Sequence, residues 1–117
     1  LRTKEHIINC VEMLLKNNFD SIWTVSETDS KSHPYKQLTV QNGKLGFFDK
    51  RGKEIIARQQ LDSVYHRNGI AYVIKRETLL EEKTIMGINP GAYIVEGHHI
   101  SIDTEFDFKL IETLGIE

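Results

Sequence analysis

The sequence predicts an α/β fold, and three observations carry that prediction. Near the start, Ile7, Ile8, Val11, Leu14 and Leu15 recur at the i, i+1, i+4, i+7, i+8 spacing of one helical face. Next, Ile22, Trp23, Thr24 and Val25 gather β-branched and aromatic side chains that suit a pleated, packed surface. Later, Ile70 to Ile74 is apolar at both alternating positions, as expected of a strand with helices on both faces of its sheet.

In chain order, Thr3 stands as a candidate cap before a helix over residues 4–17. A strand follows over 19–26. Residues 27–34 have no apolar period, and Pro34 biases His33 towards extended backbone, so this stretch reads as a surface loop. Leu38 and Val40, then Leu45 and Phe47, alternate on either side of Asn42-Gly43, the signature of a hairpin with a type I′ turn. Residues 49–63 are mostly polar and read as an irregular arm. Ile70–Ile74 is expected to be the central strand, residues 77–83 a short helix, and 87–91 a loop. Strand resumes over 92–95, and a last strand through Ile100 and Ile102 enters a helix whose Phe106, Leu110 and Leu114 share a face, with Gly115 at its end.

The 117 residues suffice for a single domain over 1–117, with the hairpin arm at about 35–66. Composition is globular, at 39% hydrophobic and 27% charged. A formal charge of −2 with both signs interspersed offers no basic stripe, which argues against a nucleic-acid partner. No apolar run approaches the roughly 20 residues that span a bilayer. The lone Cys10 excludes an internal disulfide framework and fits a reducing compartment, so the expected location is cytoplasmic. The first residue is not Met and no leader follows it, from which a cut at Leu1 is expected.

Asp103 lies where the last strand becomes a helix, the edge at which open α/β sheets place ligands. Two readings stand side by side. Its carboxylate suits Mg²⁺, which takes one or two protein carboxylates and completes its shell with water and phosphate oxygens. Alternatively it caps the helix, although Thr104 with Asp107 three positions on forms a relative of the capping box that leaves Asp103 free. Lys36, Arg58, Gln59 and Gln60 supply cationic and amide groups suited to a sugar acid, or else are solvated surface side chains. Asn68-Gly69 also reads as a turn into a strand, and Tyr72 as core. Adjacent His98 and His99 point to opposite faces of a strand and do not share a zinc ion easily.

Taken in order, His33-Pro34-Tyr35-Lys36, Arg58-Gln59-Gln60, Asn68-Gly69-Ile70-Ala71-Tyr72 and Asp103-Thr104-Glu105 resemble the C-terminal half of the acylneuraminate (CMP-sialic acid) cytidylyltransferase family. The resemblance covers nearly the whole chain and implies a Rossmann-like nucleotidyltransferase sheet. It implies transfer of CMP from CTP to the anomeric hydroxyl of a nonulosonic acid, with release of pyrophosphate and help from Mg²⁺. It further implies Lys36 as a contact to the sugar acid, and Arg58 to Gln60 in an arm exchanged across a homodimer. Asn68 to Tyr72 line the sugar pocket, and Asp103 is the expected Mg²⁺ ligand. Two departures stand out. Ser101 replaces the first of two carboxylates that relatives carry. Relatives often place an arginine two residues before the asparagine, where this chain has His66, with Arg67 adjacent instead; this touches the carboxylate clamp. The family's phosphate loop and first strand are absent, so the polypeptide is expected to be part of an enzyme about twice as long, inactive by itself. The alternative is a non-catalytic sugar-binding or dimerisation module of the same fold.

Overall fold

A computed structural model of the chain describes residues 2–54, 61–97 and 101–115. It is mixed α/β, with helices α1 (Lys4–Asn17), α2 (Arg76–Leu80) and α3 (Glu105–Leu114). Its strands are β1 (Ser21–Glu27), β2 (Leu38–Gln41), β3 (Lys44–Phe47), β4 (Tyr65–Ile74) and β5 (Pro90–Ile94). Two compact units result: one contains residues 1–26 and 67–117, the other Glu27–His66. The second unit therefore starts eight residues ahead of the expected arm at 35.

In the first unit Thr3 caps α1 as expected, its hydroxyl accepting from the His6 N–H. The inward face of that helix differs from the periodic reading. Cys10 and Leu14 are buried against Ile22, with Met13, Phe19, Val73 and Tyr93 packed around them, while Ile7, Ile8 and Leu15 are 43%, 42% and 70% exposed. The spacing found the helix and, in Leu14, part of its inward side; the rest of the expected face is exposed because two apolar stripes wrap the helix. Burial also pushes the Cys10 thiol above its ordinary value.

The sheet has the order β4-β1-β5, with β5 parallel to β1 from Ser21↔Pro90 to Val25↔Ile94. Lys75 N–H donates to Asp20 O at 3.0 Å and Thr28 N–H to Val64 O at 2.9 Å, so β4 runs antiparallel to β1. Ile70–Ile74 thus lies in an edge strand of the described sheet, and the central position belongs to β1. Its two-faced apolar run reflects packing rather than rank: Ile70 is buried and Val73 joins the α1 core. The expectation of helices on both faces is met by α1 on one side. The other side carries Trp23, Tyr72 and Ile94, the last two 42% and 49% exposed.

Between those two hydrogen bonds the chain advances from 20 to 28 on one strand and from 64 to 75 on the other. The three excess residues of β4 are absorbed in a bulge around Asn68-Gly69, where Gly69 takes φ +73 and the N–H groups of Ile70 and Ala71 turn to the side chains of Asn68 and Thr24. A bulge resets the alternation of faces on either side of it. Ahead of β5, Asp20 Oδ2 accepts from the N–H groups of Ile88 and Asn89 at 3.0 and 2.9 Å, which ties the loop to the start of β1.

α3 begins as the sequence predicts. Thr104 Oγ1 accepts from the Asp107 N–H at 3.2 Å, and Asp107 Oδ2 accepts from the N–H groups of Thr104 and Asp103 at 3.1 and 3.0 Å. Gly115 ends it at φ +65. The buried residue is Ile111, whereas Phe106 and Leu114 are 72% and 56% exposed, so the face marked by Phe106 and Leu114 is not the inward one. The expected last strand falls partly on residues 98–100, outside the described residues, and Ser101 to Asp103 are not strand.

The hydrogen bond from the Asp103 N–H, first among its causes, holds the Asp107 carboxyl below its ordinary 3.8. A carboxyl lowered on folding stabilises the fold above its unfolded value, and that contribution is lost as pH falls through the folded one. The start of α3 is therefore expected to loosen on acidification through and below the ordinary carboxylate range. Amide exchange at Asp103 and Thr104 checks this, and protection that stays constant across that range argues against it.

In the second unit, β2 and β3 form the expected hairpin, with Asn42 and Gly43 at φ +52 and +78. Leu38 faces Phe47 and Val40 faces Leu45, so all four share one side of the ribbon. The loop at 27–34 contains a 3-10 turn, Ser30–Ser32, and a second turn follows at Pro34–Lys36. A third turn runs over Lys50–Glu54, within the predicted irregular arm.

Candidate functional site

Arg67, Asn68 and Tyr72 lie within ten residues of β4, and the bulge decides where each points. In a regular strand Asn68 and Tyr72, four apart, share a face, and Arg67 takes the other. The contacts run differently. Asn68 Oδ1 accepts from Thr24 Oγ1 at 2.7 Å and from the Ile70 N–H at 3.1 Å, and its Nδ2 donates to Ser26 Oγ at 2.8 Å. Thr24 and Ser26 alternate with Ile22, on the α1 side of the sheet. Tyr72 and Arg67 meet Trp23, on the opposite side: Tyr72 edge-on at 5.3 Å and 82°, and Arg67 with Cζ 5.4 Å from the ring centroid. The Asn68 amide is thus largely spent on stapling the bulge, with one N–H left over. Arg67 and Tyr72 instead form an aromatic and cationic cluster with Trp23, whose indole Nε1–H donates to Ile85 O at 3.0 Å. Sequence reasoning read Trp23 as part of a buried strand. Its pairing with Arg67 was hidden because a bulge cannot be counted from residue spacing.

Asp103 is exposed, and its carboxylate has no hydrogen-bond partner among the described residues. The cap of α3 is filled by Thr104 and the dipole end is served by Asp107. Among the described residues no three His, Cys, Asp or Glu side chains gather closely enough to cage a metal. A single free carboxylate fits Mg²⁺ all the same, since that ion keeps several waters and substrate oxygens. No contact links Asp103 with Arg67, Asn68 or Tyr72 among the described residues.

Lys36 ends the Pro34–Lys36 turn in the second unit and is exposed. The turn is anchored by His33, which is 4% exposed and was read from sequence as a lone histidine in a loop. His33 Nδ1 accepts from the Tyr35 N–H at 3.1 Å while Nε2 lies 3.0 Å from Asp62 O. A backbone N–H only donates and a carbonyl only accepts, so these contacts require the tautomer protonated on Nε2. Tyr35 stacks edge-on to His33 at 4.8 Å, and Arg51 sits 4.5 Å over the Tyr35 ring. Arg51 is in turn held by Asp49 at 2.7 Å, and this guanidinium holds the Asp49 carboxyl down at about 2. A cleft of about 260 Å³ in the same unit is lined by Glu27, Asp29, His33, Asp62 and Ser63, with no Lys or Arg among its described lining residues. Arg58, Gln59 and Gln60 lie outside the described residues.

No family model matches the chain. Over 97% of its length it is 30% identical to post-translational flagellin modification protein B of Campylobacter coli, of which the match covers 48%. It is also 30% identical, again over 97% of its length, to CMP-N,N′-diacetyllegionaminic acid synthase of Campylobacter jejuni, of which the match covers 57%. These matches support a nonulosonic acid cytidylyltransferase-like family for the chain. It spans about half the length of the curated relatives it matches. No helix among the described residues is long and apolar enough to cross a membrane.

Proposed function

We propose that this chain supplies the sugar-acid and metal side of a cytidylyltransferase with a Rossmann-like nucleotidyltransferase sheet. The reaction is transfer of CMP from CTP to the anomeric hydroxyl of a nonulosonic acid. The anomeric oxygen bonds to the α-phosphorus, the bond from that phosphorus to the β-phosphate bridge breaks, pyrophosphate leaves, and the hydroxyl proton passes to solvent. The observation that carries this reading is the match over 97% of the chain to a protein named as a CMP-N,N′-diacetyllegionaminic acid synthase.

The residues have distinct tasks in this reading. Arg67 receives the sugar carboxylate through its planar N–H fork, and Tyr72 borders the sugar beside it. Lys36 adds a point charge towards the sugar acid, with Arg58, Gln59 and Gln60 in the same part of the sequence. Asn68 holds the bulge that aims Arg67. Asp103 holds Mg²⁺, which when bound neutralises the charge that builds on the transferring phosphoryl group. The expected location is the cytoplasm, where CTP is made.

The test is CTP-dependent pyrophosphate release by the protein as its source organism makes it, with Mg²⁺ and a panel of nonulosonic acids. Release with one sugar identifies the substrate. No release with any of them returns the chain to a sugar-binding or dimerisation module, the reading that Ser101 in place of a second carboxylate favours.

A homodimer is part of the proposal, and the hairpin motivates it. Leu38, Val40, Leu45 and Phe47 make one apolar side of a two-stranded ribbon and are 50%, 70%, 70% and 41% exposed. A two-stranded ribbon with one bare apolar face is at best marginally stable in water and gains by burying that face. Val40→Asp combined with Leu45→Asp is expected to halve the mass seen by sedimentation. A dimer that survives both changes moves the interface elsewhere.

A further inference from the structure

We infer that Trp23 is a positioning residue that presents the Arg67 guanidinium to the carboxylate of an acidic sugar. The inference rests on the sugar-acid reading above and deepens it by naming the group that sets the clamp.

The indole cannot turn freely. Its Nε1–H is held by Ile85 O at 3.0 Å and its ring is met edge-on by Tyr72 at 5.3 Å. Arg67 lies over this fixed ring, with Cζ 5.4 Å from the centroid, inside the range in which the ring quadrupole attracts a cation. An exposed arginine otherwise spreads over many rotamers, and ordering it on binding costs affinity. A guanidinium resting on an aromatic face has already lost much of that freedom, while the N–H donors around its rim stay open to a carboxylate. Among the described residues Arg67 has no ion-pair partner, so none of their carboxylates competes for it.

The backbone is built for this contact. Arg67 precedes Tyr72 by five residues, an odd number that sends the two side chains to opposite faces of an unbroken strand. The bulge at Asn68-Gly69, stapled by the Asn68 amide to Thr24 and Ser26, returns Arg67 to the face of Trp23 and Tyr72. Bulge, staple and indole anchor converge on one outcome, a guanidinium fixed beside a tyrosine on the side of the sheet away from α1.

Trp23 is the single tryptophan of these 117 residues, and the emission that Trp23→Phe removes from the protein is the emission of this ring. The experiment titrates the protein, as its source organism makes it, with N,N′-diacetyllegionaminic acid and with the carboxyl methyl ester of that sugar. Calorimetry gives affinity, and emission is followed in parallel. The acid is expected to change Trp23 emission and to bind about tenfold more tightly than the ester. Trp23→Phe keeps an aromatic face and is expected to weaken the acid about threefold, and Trp23→Leu about tenfold, with the ester unmoved. Arg67→Met, at an exposed position where misfolding is not at issue, is expected to erase the preference for acid over ester. Equal losses for acid and ester in the Trp23 variants overturn the inference, because a merely structural ring does not distinguish them. Unchanged affinity for the acid in both variants also overturns it, and leaves the sugar-acid reading standing. Absence of binding by this acid, and by every other nonulosonic acid of the panel used for turnover, removes the inference and the reading together.

Discussion

In the protein as its source organism makes it, Asp103→Asn is expected to lower the proposed CMP transfer by about a hundredfold, the scale on which removing one preorganised charge-stabilising contact acts. The change is nearly isosteric, and its structural consequences are small by construction. The carboxylate makes no hydrogen bond among the described residues, and the cap of α3 is formed by Thr104 and Asp107 without it. Only the backbone N–H of Asp103 takes part, donating to Asp107, and the substitution keeps that N–H. Turnover and thermal midpoint measured together separate the outcomes. Loss of turnover at constant stability supports the metal-ligand role. Full turnover removes Asp103 from the metal site, and a matched fall in both returns it to the helix terminus.

Gly52→Ala is expected to destabilise the second unit by about 3 kcal/mol, at the upper end of overpacking penalties. Gly52 is buried in the Lys50–Glu54 turn. A methyl group there collides with the Tyr35 carbonyl oxygen and comes within 2.7 Å of the Phe47 ring. The first obstacle is backbone of the turn that carries Lys36, so relief requires moving the proposed sugar contact itself. Amide exchange at Tyr35, Lys36 and Phe48 measures the loss, and the Trp23 ring, in the other unit, is expected to keep its emission. Exchange unchanged at Tyr35 and Lys36 means the turn yields without cost. Gly52 carries no sequence signal of this role, since its neighbours are charged and the residues it packs on lie 17 and 5 positions away.

Local features were legible where a single short segment dictates its own geometry. The Thr3 and Thr104 caps, the Asn42-Gly43 turn and Gly115 at the end of α3 follow from the needs of a few backbone groups, and each was readable from adjacent residues. The inward face of α1 was read only in part, through Leu14, and that of α3 was misread, because apolar residues occupy more of each helix than the described core covers. Which stripe turns inward is set by the partner surface and not by the helix.

The mixed α/β character, most of the elements and the resemblance to a family were readable from short contiguous motifs, although β4 starts at Tyr65 and not Ile70 and no strand forms over Ser101 to Asp103. Which of those residues face one another is set by how the strands pair. The bulge in β4 sends Asn68 to Thr24 and Ser26 and swings Arg67 onto Trp23 beside Tyr72, reversing the faces that simple alternation assigns. The tertiary structure likewise makes His33 the buried anchor of the Pro34–Lys36 turn through Asp62, 29 residues away. The physical reason is the same in both places. Local signals specify backbone geometry over a few residues, whereas a side chain's direction depends on every extra residue the strands absorb before they pair.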